Sequence, residues 1–191
     1  MSNTARQFDE PFMLKGGTAS RVRAIRPDDR ERLQAAFLEL EPESVYLRYF
    51  SFKRALTEAD LNLLCNPDFA DRVVLLVTIG IDADETVIGS GGYVAQASAD
   101  GVRVAEVAFA VEEDFHGQGI ASKLLAVLAT LARADGIERF DAEVLARNSP
   151  MLQVFARSGL PMTKSHAEDN VVSVTMSLAT PATPSRAPAS G

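Results

Sequence analysis

The sequence lacks the features of a secreted or membrane protein. It has a single cysteine, Cys65, so a disulfide framework within the chain is excluded. The N-terminal stretch MSNTARQFDEPFMLKGG has no apolar core of the kind that a signal peptide needs. No apolar run is long enough to cross a bilayer. We therefore expect a cytoplasmic protein with no membrane partner.

Positive charge and metal-binding side chains are also scarce. The 19 lysines and arginines are outnumbered by 26 aspartates and glutamates, which gives a formal net charge of −7. A general nucleic-acid binder needs a basic face, so no nucleic-acid partner is expected, whereas a basic partner such as a protein amine is compatible with this charge. The 2 histidines and 1 cysteine form no cluster of metal ligands, so no metal site is expected.

What the chain does contain is a mixed pattern of strands and helices between two simpler ends. Residues 1–18 are predicted to be a flexible arm, residues 19–179 one folded domain, and residues 180–191 a disordered tail rich in Pro, Ala and Ser. Alternating and β-branched runs predict strands at 20–26, 72–80, 85–96, 102–111, 138–146 and 170–178. Periodicity and capping signals predict helices at 26–40, 42–52, 57–65, 119–135 and 148–159. We expect an antiparallel meander followed by one strand–helix–strand crossover.

A glycine-rich turn precedes the longest predicted helix. Gly117 and Gly119 would let the backbone approach a ligand closely, and the free N–H groups at the start of the helix would favour a phosphate or pyrophosphate. A tight strand–helix turn without a ligand explains two glycines equally well. No P-loop string occurs, and the dinucleotide fingerprint fails because Ser122 stands where a glycine or alanine is needed. The helix has an apolar stripe that should pack on the sheet: Ile120, Leu124, Leu128 and Leu131.

Two segments resemble the GNAT superfamily of acetyl-CoA-dependent N-acetyltransferases. Residues 116–121, HGQGIA, are similar to the family's pyrophosphate motif Q/R-x-x-G-x-G/A, with His116 in its first position. Residues 148–160, NSPMLQVFARSGL, are similar to a second motif, with Leu160 in place of the usual phenylalanine. The resemblance implies an α/β (α+β) fold with a mixed, mostly antiparallel central sheet, helices on both faces and one βαβ crossover.

The resemblance extends to one branch of the superfamily. Residues 25–50 are similar to the start of the acetyltransferase domain of bacterial protein-lysine acetyltransferases, in which an acidic residue lies ten residues before the pyrophosphate motif, as Glu106 does here. It implies that Glu106 is the general base, that acetyl-CoA is the acetyl donor and that a protein lysine is the acceptor. The residues alone leave open a solvated glutamate on the polar face of a strand. If instead Glu106 points into a cleft, desolvation would raise its pKa into a useful range. Glu112 and Glu113 are expected near the same cleft and are interpreted as loop carboxylates.

The resemblance also implies where the cofactor binds. In the family, a bulge separates the strand before the turn from its parallel neighbour, and free main-chain amides of that strand bind the pantetheine and polarise the thioester. Asn148 either caps its helix or bonds the cofactor. Phe155 occupies the position of a tyrosine that many members use as general acid, and it cannot donate a proton. The expected cofactor contacts are Phe109, Ala110, Val111, His116, Gly117, Gln118, Gly119, Ile120, Ala121, Asn148 and Phe155.

Two alternative functions remain open at this level. The acceptor could be a small amine, because acceptor identity depends on loops that one sequence does not decode. The absent tyrosine and the unusual His116 also leave open a non-catalytic acyl-CoA-binding regulatory module. Cys65 is expected to be a buried residue at a helix end rather than a nucleophile, and a monomer or a homodimer is expected.

Overall fold

The computed structural model describes residues 4–49, 53–98, 101–166 and 170–179. The strands within these ranges are β1 (Asp9–Met13), β2 (Ala19–Ala24), β3 (Arg72–Ile79), β4 (Thr86–Ala97), β5 (Arg103–Val111), β6 (Arg139–Leu145), β7 (Met162–His166) and β8 (Val171–Ser177). The helices are α1 (Arg30–Glu39), α2 (Pro42–Tyr49), α3 (Glu58–Cys65), α4 (Ile120–Ala134) and α5 (Ser149–Ala156). None of these described helices is both long and apolar enough to cross a membrane.

All eight described strands form one sheet in the order β1-β2-β3-β4-β5-β6-β8-β7. The β5–β6 pair is parallel, and the six other neighbouring pairs are antiparallel. Because β5 and β6 run in the same direction, α4 makes the crossover between them. The predicted mixed, mostly antiparallel sheet with one βαβ crossover is confirmed.

Two edge strands were not predicted. The segment predicted as a flexible arm contributes β1, which pairs with β2 from Asp9↔Arg23 to Met13↔Ala19. β1 is mostly exposed and contains Pro11, and proline is tolerated on an edge strand because one side of that strand needs no ladder partner. β7 has the largely polar sequence MTKSH. Pairing with a neighbour, rather than any pattern of their own, makes these segments strands. The predicted tail, 180–191, lies outside the described residues.

Apolar cores lie on both faces of the sheet. On one face the predicted stripe of α4 is buried, with Leu124 and Leu128 fully inaccessible to solvent. A methyl group on Gly89 would lie 2.9 Å from Ile120 Cγ2, and one on Gly91 would lie 2.8 Å from the Phe109 ring. These β4 glycines therefore allow α4 and β5 to pack closely. On the other face, α1 and α3 pack on the sheet around a core that includes Leu33, Phe37, Leu61 and Cys65.

A buried ionic cluster fixes the start of α1. Arg23 on β2 is 2% exposed and donates to both oxygens of Asp29 at 2.7 Å. It also donates to Glu85 at 2.8 Å. The carboxylate of Asp29 accepts from the Arg26 amide as well, at 2.8 Å, so the chain turns from β2 into α1 around one carboxylate. Since α1 covers one face of the sheet, this cluster positions a wall of the cleft described below.

Candidate active site

The parallel strands β5 and β6 separate halfway along their length. Their pairing runs from Val104↔Arg139 to Glu106↔Asp141 and ends there. Beyond this point β5 continues beside β4 alone as far as Val111, while β6 continues beside β8. The result is a V-shaped gap with Glu106 at its apex. The separation expected from the resemblance is present.

The bulge that was expected in β5 is instead in β4. The β4–β5 register is continuous from Gly89↔Val111 to Ala97↔Arg103, whereas the β3–β4 register shifts at Val77/Thr78. The shift leaves Ile88 as an extra residue and reverses the alternation of side chains, so Val87 packs in the core opposite to that of Tyr93. The sequence could not locate this bulge, because one extra residue in a β-branched run leaves no local signal.

Main-chain groups of β5 face the gap. The Glu112 amide donates to the Ile88 carbonyl at 3.1 Å, so even-numbered residues here direct their N–H and C=O groups toward β4. By alternation, Phe109 and Val111 direct theirs toward the gap. Ala110, which was expected to contribute, pairs with Ser90 on the β4 side. The gap is thus lined by strand amides beyond the last β5–β6 pair.

The glycine turn has the backbone of an anion site. Gly117 and Gly119 have φ angles of +74° and +92°, which favour glycine. Gly119 is the N-cap of α4 and provides no side-chain cap. The amides of the first helical turn, from Gly119 to Ser122, therefore have no intrahelical acceptor, and α4 directs the positive end of its dipole at this point. A methyl group on Gly117 would meet nothing within 4 Å. This arrangement fits a phosphate group held by main-chain N–H groups.

The polar side chains of the turn are used within the protein. His116 Nε2 lies 2.9 Å from the Val111 carbonyl oxygen, so the ring connects the turn to the end of β5. The Gln118 side-chain oxygen accepts from the Gly16 amide at 2.7 Å. Both residues were expected to contact the cofactor, which stays a prediction, and their side chains form these internal contacts of the turn.

The Gln118 contacts bring a distant segment to the turn. The hairpin between β1 and β2 lies against it, because the Lys15 amide donates to the Gln118 carbonyl at 3.2 Å. A methyl group on Gly119 would lie 3.6 Å from Lys15 Cε and 3.8 Å from Phe12 Cζ. Lys15 was missed in the sequence, since a contact between residues about a hundred positions apart has no local signature.

A cleft of about 210 Å³ lies on the face of the sheet opposite α4. Its floor is made of small residues on β4 and β5, and its walls are apolar side chains of α1 and α3. Glu106, Ala108, Ala110 and Glu112 face it from β5 and its end, and Arg48 and Arg72 also line it. The cleft thus reaches Glu106 at the apex of the gap from the side away from α4.

The side chain of Glu106 is exposed in this cleft and forms no hydrogen bond or ion pair with any residue that the structure describes. Its neighbour on β6, Asp141, is bound by Arg139 at 3.2 Å and by Thr175 at 2.9 Å. Of these two adjacent carboxylates, Glu106 is therefore the one available to accept a proton. Because Glu106 is exposed, the protein alone does not shield its carboxylate from water.

Glu112 also faces the cleft, beyond the end of β5. Burial, together with the negative charges of Asp114, Glu39 and Glu113, raises the pKa of Glu112 above its ordinary value. This half-buried carboxyl was expected near the cleft as a loop residue, and it lies just beyond the end of β5. The shift of its pKa depends on the packing of distant segments, which the local sequence does not reveal.

The second family motif forms the start of α5. Asn148 is the N-cap, and its side-chain oxygen accepts from the Met151 amide at 3.2 Å. Of the two roles considered for Asn148, its side-chain oxygen therefore has the one of capping α5. Phe155 is 1% exposed and packs against Phe109, with ring centroids 6.1 Å apart. It supports β5 from the α4 side of the sheet.

The remaining candidates have structural explanations. Cys65 ends α3, is 1% exposed, and burial raises the pKa of its thiol. The expected buried position is confirmed. Among the residues that the structure describes, no three His, Cys, Asp or Glu side chains are placed to hold a metal ion.

The chain also matches known proteins. Residues 33–160 match the Acetyltransferase (GNAT) family. The chain is 34% identical over 149 residues to Acetyltransferase Pat of Mycolicibacterium smegmatis, a match that covers 78% of this chain and 43% of that protein. It therefore corresponds to less than half the length of this curated relative.

Two solved structures have the same fold as this chain and are also similar to it in sequence. The GNAT domain of S. lividans PAT aligns with a TM-score of 0.79 at 36% identity, covering 88% of this chain and 96% of that one. A cAMP-binding acyltransferase from Mycobacterium smegmatis aligns with a TM-score of 0.61 at 29% identity, covering 93% of this chain and 49% of that one. The resemblance inferred from the two motifs is confirmed. The chain belongs to the Acetyltransferase (GNAT) family of acetyl-CoA-dependent N-acetyltransferases.

Proposed function

We propose that the chain transfers the acetyl group of acetyl-CoA to a protein lysine by direct attack in a ternary complex, with Glu106 as general base. The observation that carries this proposal is the position of Glu106. It is the last residue of β5 that pairs with β6, its side chain faces the cleft, and its carboxylate forms no hydrogen bond or ion pair with any described residue. A carboxylate there would reach both the gap and an amine in the cleft.

Acetyl-CoA supplies the acetyl group as a thioester. The residues that would hold it are the main chain of the glycine turn, for the pyrophosphate, and the main chain of Phe109 and Val111, for the pantetheine and the thioester carbonyl. Hydrogen bonds from strand amides stabilise negative charge that develops on a carbonyl oxygen. The turn fits this group because its glycines have positive φ and its helix is uncapped.

Glu106 addresses the protonation of the acceptor. A lysine amine has a pKa of about 10.4, so at pH 7 only about one in a few thousand is neutral, a penalty of roughly 4–5 kcal/mol. A carboxylate base typically contributes about 10²–10⁴ in rate. Because Glu106 is exposed, the bound substrates must themselves exclude water from it. Phe155 cannot protonate the departing thiol, whose pKa of about 8.5, as for cysteine, allows it to leave as the thiolate.

A protein lysine is favoured as acceptor by two features. The start of the domain resembles that of bacterial protein-lysine acetyltransferases. Glu106 and Glu112 face a cleft, which Arg48 and Arg72 also line, that a long side chain with a cationic end could enter. The apolar walls of the cleft suit the methylene stem of lysine.

The test compares the parent with Glu106→Gln, using a lysine-containing peptide, free lysine and spermidine as acceptors. We expect the peptide to be preferred, and we expect Glu106→Gln to lower kcat/KM by about 10²–10⁴ with little change in acetyl-CoA affinity. Glu138→Gln, at an exposed site before β6, is the matched control. Preference for spermidine would overturn the lysine assignment. A parent that binds acetyl-CoA but acetylates none of the three would favour the binding-module alternative.

A further inference from the structure

The hairpin between β1 and β2 brings a lysine to the glycine turn. The Lys15 side chain runs beside Gly119, with its Cε 3.6 Å and its Cγ 3.9 Å from the point where a Gly119 methyl group would lie. Its ammonium nitrogen is bonded directly to that Cε. Gly119 is the N-cap of α4, so the end of the Lys15 side chain runs beside the residue at which the helix begins.

Three contacts hold the hairpin against the turn. The Lys15 amide donates to the Gln118 carbonyl and the Gly16 amide to the Gln118 side chain. One turn further along α4, Lys123 forms an ion pair with Glu10 of β1 at 3.1 Å. Lys15 is thus placed by a fixed hairpin rather than by a free arm.

No residue that the structure describes neutralises the charge of Lys15. Lys15 is exposed, and its ammonium forms no ion pair with any residue that the structure describes. Lys123, the other lysine at this corner, is neutralised by Glu10. The chain carries a net charge of −7, so an unpaired cation beside an anion-binding turn locally offsets the repulsion that an anionic ligand would experience.

We propose that Lys15 binds the pyrophosphate of acetyl-CoA and so completes the main-chain site of the glycine turn. This inference rests on the proposed function, since it requires acetyl-CoA at that turn. It assigns the β1–β2 hairpin, which lies outside the residues matching the family, to cofactor binding. The backbone amides of the turn would supply hydrogen bonds to the pyrophosphate, and the Lys15 ammonium would add a positive charge beside them.

The test is calorimetric titration of the full chain with acetyl-CoA and with 3′-dephospho-CoA. We expect Lys15→Ala to weaken both ligands by about 5- to 20-fold, as for the loss of one exposed charge-assisted contact, and Lys15→Arg to restore most of the affinity. Equal losses for the two ligands locate the contact at the pyrophosphate. A loss confined to acetyl-CoA would overturn this assignment, because it would locate the contact at the 3′-phosphate.

Two controls separate binding from structure. Lys123→Gln removes the same charge from the same corner, and we expect it to change the affinity by less than about twofold because Lys123 is already paired with Glu10. Turnover with S-acetyl-pantetheine, which has no pyrophosphate, should be unchanged in Lys15→Ala. Equal losses in Lys15→Ala and Lys123→Gln, or a loss with S-acetyl-pantetheine, would contradict the proposal.

If the parent binds acetyl-CoA and Lys15→Ala binds it equally well, this inference alone is wrong. If the parent does not bind acetyl-CoA, the proposed function is also wrong.

Discussion

Replacing Asp29 with alanine should destabilise the domain by about 3 kcal/mol. Asp29 is fully buried and accepts hydrogen bonds from Arg23 at 2.7 Å and from the Arg26 amide at 2.8 Å. Breaking a buried ion pair typically costs about 3–5 kcal/mol, because the remaining charge stays buried without its partner. We take the lower end of that range since Arg23 would keep Glu85, at 2.8 Å. At about 2–4 °C per kcal/mol for a domain of this size, the melting temperature should fall by roughly 6–12 °C.

The same variant should be less sensitive to acid. Burial opposes ionisation of Asp29, but hydrogen bonds from Arg23 and from the Arg26 amide outweigh it and hold its pKa below the ordinary value. A carboxyl with a lowered pKa contributes stability above the pKa of the unfolded chain and loses it as the pH falls through the folded pKa. The parent should therefore lose stability below about pH 4 more steeply than Asp29→Ala does.

Urea denaturation followed by circular dichroism, at pH 7 and at pH 3.5, measures both effects. Asp28→Ala is the matched control, because its side chain is an exposed carboxylate next in the chain. A loss below about 1 kcal/mol for Asp29→Ala, or equal losses for the two variants, would refute the assignment of the cluster as the anchor of α1.

Three further predictions concern the cleft and the turn. Glu112→Gln should stabilise the chain at pH 7 but not at pH 4. The fold raises the pKa of Glu112 above its ordinary value of 4.5, so ionisation of this carboxyl destabilises the folded chain as the pH rises above that value. Thermal melts with equal gains at both pH values would contradict this. Gly91→Val should cost about 2 kcal/mol or more, because its Cβ would lie 2.8 Å from the Phe109 ring, and urea denaturation showing no loss would disprove the close packing of β4. Gly119→Val should weaken acetyl-CoA binding by at least about tenfold, because a β-branched residue at φ +92° is strained and must distort the turn; calorimetry showing unchanged affinity would contradict the assignment of the turn.

The turn and the central helix were predictable because their signals are local. Ile120, Leu124 and Leu128 repeat with the period of a helix, and each is buried against the sheet. The two glycines have the positive φ angles that such a turn requires. Glu106 was identified through the resemblance, and its position at the last β5–β6 pair follows from the fold.

The hairpin, the bulge and the raised pKa of Glu112 were not predictable in the same way. β1 has no alternating pattern, so neither its pairing nor the contact of Lys15 with the turn could be predicted. The bulge near Ile88 is an effect of register between two strands. The raised pKa of Glu112 depends on burial and on charges brought together by the fold. Each of these features is set by contacts between distant segments.

Calorimetric titration of the unmodified chain with acetyl-CoA, with NAD⁺ as the comparison ligand, would decide whether the glycine turn binds the proposed cofactor. We expect acetyl-CoA to bind at one site per chain without competition from NAD⁺, because Ser122 stands where a dinucleotide site needs a glycine or alanine. Failure to bind acetyl-CoA, or a preference for NAD⁺, would contradict the assignment of the glycine turn and the β5–β6 gap as the acetyl-CoA site.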